Sequence, residues 1–247
     1  MLTFEDFNSF CVKNTNFLID EINHSRRDGF GSQYKSDGTI VTDTDLIIED
    51  RIRESISNSF PDHAIYGEER ESINTSSPYR WIIDPVDGTF GFSRGVPLFG
   101  TLIGFLEDGV PRYGFLRLPM VHDNYLSGDN KTALLNGVPL ANAKFYGWDT
   151  SLILTTDAIT IQSSPIKETW LKAINLGCTV RTWGDCFGYY LVCTGQADIM
   201  ADTNLKPHDI LPLLPILRGA GLIIQQFECE DYSNIIVCKR EVANYLY

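Results

Sequence analysis

The sequence has no apolar run long enough to cross a bilayer. Its longest uncharged stretches, such as Gly95–Leu106, fall well short of the ~20 residues a spanning helix needs, which excludes a helical membrane protein. Basic residues are scarce. Among 247 residues, 20 Lys and Arg face 32 Asp and Glu, a formal net charge of −12. No basic patch stands out, so nucleic acid is an unlikely main partner. The six cysteines include no C-x-x-C pair, which argues against a zinc ribbon. The opening MLTFEDFNSF has neither a basic n-region nor an apolar h-region, so no export signal is expected. The thiols are then expected to stay reduced in a cytoplasmic protein. Cys186 and Cys193, seven apart in a helical stretch, read as core packing.

What is present is enough apolar residue, 43%, for a full core, and a surplus of carboxylates. Such a surplus gives solubility, or it holds hard cations. Residues 4–25 repeat apolar positions at spacings of three and four, which predicts one or two helices. A turn-rich stretch follows from Asp28 to Gly38. Residues 43–58 again have helical spacing, with Thr42 or Asp43 as cap and Pro61 beyond the end. Five strand-like runs from Ala64 to Ser127 predict an antiparallel sheet with hairpins. From about residue 150, strands and helices alternate, among them one helix over His208–Gly219, and this predicts an α/β half. The division is placed at 1–145 and 146–247, with most of the candidate metal ligands in the first half.

Three acidic segments stand out: Gly67-Glu68-Glu69, Asp84-Pro85-Val86-Asp87-Gly88-Thr89 and Pro207-His208-Asp209. In the second, an apolar strand runs into a bend where Pro85 fixes φ and Gly88 permits a sharp turn. Two carboxylates and the Val86 carbonyl on one bend suit a hard cation. Taken alone, each segment has a plainer explanation: a β-turn, a solvated loop, and a carboxylate at a helix N-terminus. Serine nucleophiles are set aside, and of the four histidines only His208 lies beside these segments.

Together and in this order, the segments resemble the inositol monophosphatase superfamily of metal-dependent, lithium-sensitive phosphatases. The resemblance runs through Val41-Thr42-Asp43-Thr44-Asp45 with Lys35 before it, Gly67-Glu68-Glu69, and Trp81 to Thr89. It continues through Phe92-Ser-Arg-Gly-Val-Pro97 and from His208-Asp209 to Gly219-Ala-Gly221. Two residues depart from the pattern: His208 stands where the family usually has Trp, and Leu222 where a second Gly is usual. The region after Gln226 also looks short, which leaves the edge of the second sheet open. Pro97–Ile103, Trp183-Gly184-Asp185-Cys186 and Leu205-Lys-Pro-x-Asp209 are most similar to the histidinol-phosphatase branch.

The resemblance implies a layered α/β/α/β/α sandwich and a homodimer. It implies two or three Mg²⁺ per site, held by Glu68, Asp84, the Val86 carbonyl, Asp87 and Asp209. It makes Glu68, Thr89 and Asp45 catalytic, with Asp45 orienting Thr89. Gly88 and Thr89 amides are expected to cradle phosphate. Gly184, Asp185, Cys186 and Asp202, with the metal-site residues, are expected around the substrate, although Asp185 could equally cap a helix. The implied activity is hydrolysis of a small phosphate monoester, foremost L-histidinol phosphate. The alternatives are inositol-1-phosphate or a broader sugar or nucleotide phosphatase, and, in another class, a regulatory protein that retains the fold.

Overall fold

The computed structural model describes residues 2–29, 31–36, 38–141 and 144–247. Phe30 and Asp37 of the turn-rich stretch, and residues 142 and 143 near the expected division, lie outside the described residues.

Two helices, Phe4–Asn14 and Leu18–Asp28, occupy the first amphipathic region. A third, Asp43–Ser59, begins at a capping box. The Thr42 hydroxyl accepts the Asp45 amide, and the Asp45 carboxylate accepts the Thr42 amide at 2.9 Å. Ile48, Ile52 and Ile56, four residues apart, form its buried face.

These helices cover one face of a seven-stranded sheet. Its spatial order is Ala64–Gly67, Tyr79–Asp87, Gly100–Glu107, Val110–Leu118, Asn124–Gly128, Ala133–Leu135 and Val138–Pro139. The first two strands run parallel, where the sequence suggests antiparallel pairing throughout; the remaining pairs are antiparallel. The parallel pair arises because residues 68–78 cross back to the starting end before the second strand begins. Side chains alternate across the sheet as strand geometry requires. Ile83, Ile103 and Phe115 pack under the N-terminal helices. Their neighbours Leu102 and Leu116 face a central core with Tyr189, Leu214, Ile216 and Val237.

The second sheet has the order Thr179–Arg181, Leu152–Leu154, Ile199–Asp202, Ile235–Cys238, Ile223–Gln226. The first three strands are parallel and the last two antiparallel. The region beyond Gln226 therefore supplies an internal strand, and Ile223–Gln226 becomes the edge. Helices Lys167–Asn175 and Arg240–Leu246 pack on the outer face against Ile153, Ile199 and Ile236. Between the sheets lie Asp185–Cys193, Pro207–Ile210 and Leu214–Gly219. The layers thus run α/β/α/β/α.

The expected single helix over His208–Gly219 is two short ones. Pro212 and Pro215 lack the amide hydrogens that a continuous helix would need. The interrupted backbone settles into a trough in the first sheet. Gly104, Gly114 and Gly128 are direct cross-strand partners and form a row over three strands. A Cβ at Gly114 would lie 1.9 Å from the Pro212 carbonyl oxygen, and one at Gly128 would lie 2.6 Å from Ile216 Cα. Only glycine allows this approach. It fixes the segment that carries Asp209.

Gly114→Ala should therefore cost at least roughly 1–3 kcal/mol, the scale of overpacking against unyielding backbone. Gly104→Ala should cost less, since its Cβ would meet Pro212 Cα at 3.0 Å. Urea denaturation measures both; wild-type stability in Gly114→Ala would show that the segment is not held by this contact.

Candidate active site

Asp84 and Asp87 lie three residues apart, so an uninterrupted strand would point them to opposite faces. The register prevents that. Asp84 pairs with Leu102 and Asp87 with Gly100, so three steps on one strand match two on the other. This bulge turns both carboxylates the same way. With Asp209 they form a group whose donor oxygens all lie within 4.8 Å of one another. Glu68, Asp84 and His208 form a second group of the same size, sharing Asp84.

Backbone amides hold these carboxylates in place. The Val86 amide donates to Asp84 Oδ1 at 3.1 Å, the Cys186 amide to Asp87 Oδ2, and the Lys206 amide to Asp209 Oδ2 at 2.7 Å. Glu68 follows the first strand and pairs with Lys35 at 2.9 Å, while Glu69 pairs with the same ammonium at 2.7 Å. Burial raises Lys35's competing costs, yet its two carboxylate partners hold its proton more tightly than usual.

Gly88 has φ of 95°, a left-handed conformation suited to glycine, and starts the short helix Thr89–Phe92. The Thr89 hydroxyl lies 2.7 Å from the Val86 carbonyl and 3.2 Å from Asp45 Oδ1. The Val86 carbonyl thus already accepts one hydrogen bond and keeps a second lone pair. Asp45 Oδ2 is held by the Thr42 amide and hydroxyl, so its other oxygen is aimed at Thr89.

A cavity of about 680 Å³ opens over this cluster, lined by Glu68, Asp84, Asp87, Gly88, Asp185 and Asp209 among others. Among the described residues, no Lys, Arg or His lines it. Tyr34, Phe90 and Trp183 stand at its wall with exposed rings. A smaller cavity of about 150 Å³ shares Asp87, Asp185 and Asp209 and adds Asp202 and Tyr189.

The resemblance places Gly184, Asp185, Cys186 and Asp202 around the substrate, and the structure separates them. Gly184 and Asp185 line the large cavity. Asp202 lines the small one and not the large one. The Cys186 side chain is buried in the central core and its amide anchors Asp87, so it is not a cavity residue. Asp185 does not cap its helix with its side chain; Gly184 occupies the cap position.

The sequence reading missed several residues. Thr156 accepts the Asp185 amide at 2.9 Å and donates to Asp202 at 3.1 Å. Glu49, fully buried, accepts the Glu69 and Arg70 amides and fixes the Glu68 loop. A second acid on the apolar side of the 43–58 pattern, one turn after Asp45, is its signal. Gly91 to Gly95 spells G-x-S-x-G, but Ser93 follows a short helix and bonds to the Phe90 carbonyl at 2.9 Å, which is no nucleophile elbow.

Burial, and then crowding, shifts the aspartates of the site upward. Asp84 rises through burial and then Glu68, Asp87 and Asp209; Asp87 rises through burial and then Asp185 and Asp209. Asp209 rises mainly through burial. Asp45 and Asp185 are each pushed up to about 6, in both cases chiefly by burial. Such a ring of oxygen donors fits a hard divalent cation, which removes the repulsion that burial imposes.

The comparisons with known proteins agree with this geometry. The sequence model of the Inositol monophosphatase family matches residues 10–244. A histidinol-phosphatase of Chlorobaculum parvum is 33% identical over 187 residues, 76% of this chain and 72% of that protein. The extragenic suppressor protein suhB from Bartonella henselae has the same fold, with a TM-score of 0.85, 20% identity and coverage of 97% of this chain and 96% of that one. An IMPase/NADP phosphatase solved with Mg²⁺ and phosphate gives a TM-score of 0.83 at 17% identity, covering 98% and 94%. The fold and site define a phosphoric monoester hydrolase. The chain belongs to the inositol monophosphatase family.

Asp202 gives a test that is independent of turnover. Burial, then Asp185, pushes its carboxyl up to about 8, against ~3.9 in an unfolded chain. The folded state then binds the proton more tightly. Stability is greatest below the unfolded value and falls as pH rises toward 8. Asp202→Asn removes that dependence. In metal-free protein it should raise Tm by at least a few degrees at pH 8, where 1 kcal/mol is roughly 2–4 °C at this size. The gain should shrink toward pH 5. Calorimetry at the two pH values checks this, and an equal change at both contradicts a buried, protonated Asp202.

Proposed function

We propose that the protein is a Mg²⁺-dependent phosphomonoesterase acting on a small phosphorylated amino alcohol, foremost L-histidinol phosphate. The observation that carries this is the cavity itself: a ring of carboxylates with no basic side chain in its lining. A phosphate dianion enters such a ring only in company with cations.

Glu68, Asp84 and the Val86 carbonyl would hold one ion; Asp84, Asp87 and Asp209 would hold another. When bound, the ions neutralise the phosphoryl oxygens and make a water molecule acidic enough to attack. The chain does the rest. Thr89 Oγ accepts a proton from the attacking water while its own hydrogen turns from the Val86 carbonyl to Asp45 Oδ1, 3.2 Å away; the P–O ester bond opposite the attack breaks and the leaving alkoxide takes its proton from solvent water. The Gly88 and Thr89 amides cradle the phosphate. Glu69 and Lys35 keep Glu68 in place.

Substrate choice follows from the far wall. Asp185 faces the cavity as a carboxylate beyond those assigned to metal, and Thr156 fixes its backbone. It suits an ammonium group. Trp183, 43% exposed, offers a ring face to a flat heterocycle, while Phe90, 65% exposed, already carries the Arg94 guanidinium 3.6 Å from its ring centre on one side. The histidinol-phosphatase relative supports the same reading. The protein acts in the cytoplasm as a homodimer, its first half of 1–145 and second half of 146–247 meeting at the site.

Asp84→Asn should lower kcat by about 10²–10³, the scale of losing one strong electrostatic stabiliser. Near-normal turnover at saturating Mg²⁺ would show the site to be misassigned. Asp185→Asn should raise KM for histidinol phosphate roughly 10–150-fold, the equivalent of about 1.5–3 kcal/mol for a charged contact. It should leave a neutral-alcohol phosphate nearly unaffected. Steady-state phosphate release on both substrates decides, and equal losses would make Asp185 scaffold. Preference of the unmutated protein for inositol-1-phosphate would reject the substrate while leaving the phosphatase.

A further inference from the structure

The residue before Asp209 is a histidine, and the chemistry above leaves it without a task. Its side chain is only 7% exposed. Pro207 opens its short helix, and the Tyr66 ring stacks on the imidazole, centroids 6.5 Å apart at 27°. The ring is thus fixed on two sides. Nε2 lies 3.3 Å from Asp209 Oδ1 and 3.9 Å from Glu68 Oε1. Nδ1 is buried and has no hydrogen-bond partner among the described residues. Buried polar atoms are almost always paired, so a ring whose Nε2 meets two carboxylates while its buried Nδ1 has no partner among the described residues needs a reason.

Donor atoms of Glu68, Asp84 and His208 all lie within 4.8 Å of one another. The neighbouring group of Asp84, Asp87 and Asp209 offers oxygen alone. The two positions therefore differ in chemistry. Mg²⁺ favours oxygen and gives up its water reluctantly. Imidazole nitrogen suits transition ions such as Zn²⁺, Fe²⁺ and Ni²⁺, whereas Mn²⁺ sits with Mg²⁺ among the ions that oxygen donors suit and is the weakest binder of the first-row series. A packing role alone would be served by an aromatic carbocycle, which carries no nitrogen to bury.

We propose that His208 is a ligand of the cation position formed with Glu68 and Asp84, and that its nitrogen makes this position favour first-row transition ions over Mg²⁺, with Mn²⁺, the weakest of that series, as the spectroscopic probe. The inference rests on the phosphatase reading only in that the same carboxylates hold cations.

The test uses the full chain, stripped of metal and labelled with ¹⁵N-histidine. With Mn²⁺ added, pulsed electron paramagnetic resonance should show ¹⁵N coupling, and His208→Phe should abolish it. Calorimetric titration should show the tighter Mn²⁺ Kd rising by at least about 10–100-fold in His208→Phe, a loss already seen for residues that merely support a ligand. The Mg²⁺ Kd should change by less than about threefold. His208→Gln replaces the Phe variant if circular dichroism shows that the latter misfolds. Absence of nitrogen coupling in the unmutated protein, coupling that survives in the variant, or equal loss of Mn²⁺ and Mg²⁺ overturns the assignment. Phosphate release by the unmutated protein is measured alongside. Release without nitrogen coupling sinks the histidine ligand alone, whereas no release with any ion sinks the phosphatase reading.

Discussion

Carboxylates brought together and buried repel one another, and the rest of this structure is arranged around that repulsion. Glu68, Asp84, Asp87, Asp185 and Asp209 converge on one cavity without a basic side chain in its lining. Burial alone disfavours each charge, and each neighbour adds to the penalty. A cation that binds several of them reverses both effects. The same ring that is unfavourable when empty of charge compensation becomes a strong site for positive charge, and through it for phosphate. The fold's contribution is to stop the ring from relaxing.

It does so with backbone. Amides of Val86, Cys186 and Lys206 each hold one carboxylate oxygen, and the other Asp209 oxygen meets His208 Nε2 at 3.3 Å. These amides come from distant parts of the chain, so the layers must not slide. The bulge at Asp84–Asp87 belongs to the first sheet, Asp185 to the start of a helix between the sheets, and Asp209 to the proline-broken segment. The glycine row across three strands locks that last segment against the first sheet, because Pro212 and Ile216 sit where side chains would otherwise be. A mutation far from the cavity can therefore reach the site through this contact.

Much of this was legible in the amino-acid order. Thr42, Asp45 and the spaced isoleucines marked a capped helix, and Asp84-Pro-Val-Asp-Gly-Thr marked a rigid acidic bend. What escaped was whatever depends on partners far apart in the chain. The parallel pairing of Ala64–Gly67 hangs on a crossover with no local signature. The roles of Thr156 and Glu49 appear only when the strands and loops that they brace are in place. Cys186 was misplaced because adjacency to Asp185 does not say which neighbour turns inward. The helix break at Pro212 and Pro215 was readable and was overridden by the apolar spacing around it.

The central claim is that this ring takes phosphate only together with cations. Binding of inorganic phosphate to the full-length protein, followed by calorimetry with and without Mg²⁺ after removal of all metal by a chelator, tests it directly. The account predicts no measurable binding to the metal-free protein and saturable binding once Mg²⁺ is present. Equal phosphate affinity in both states would contradict it.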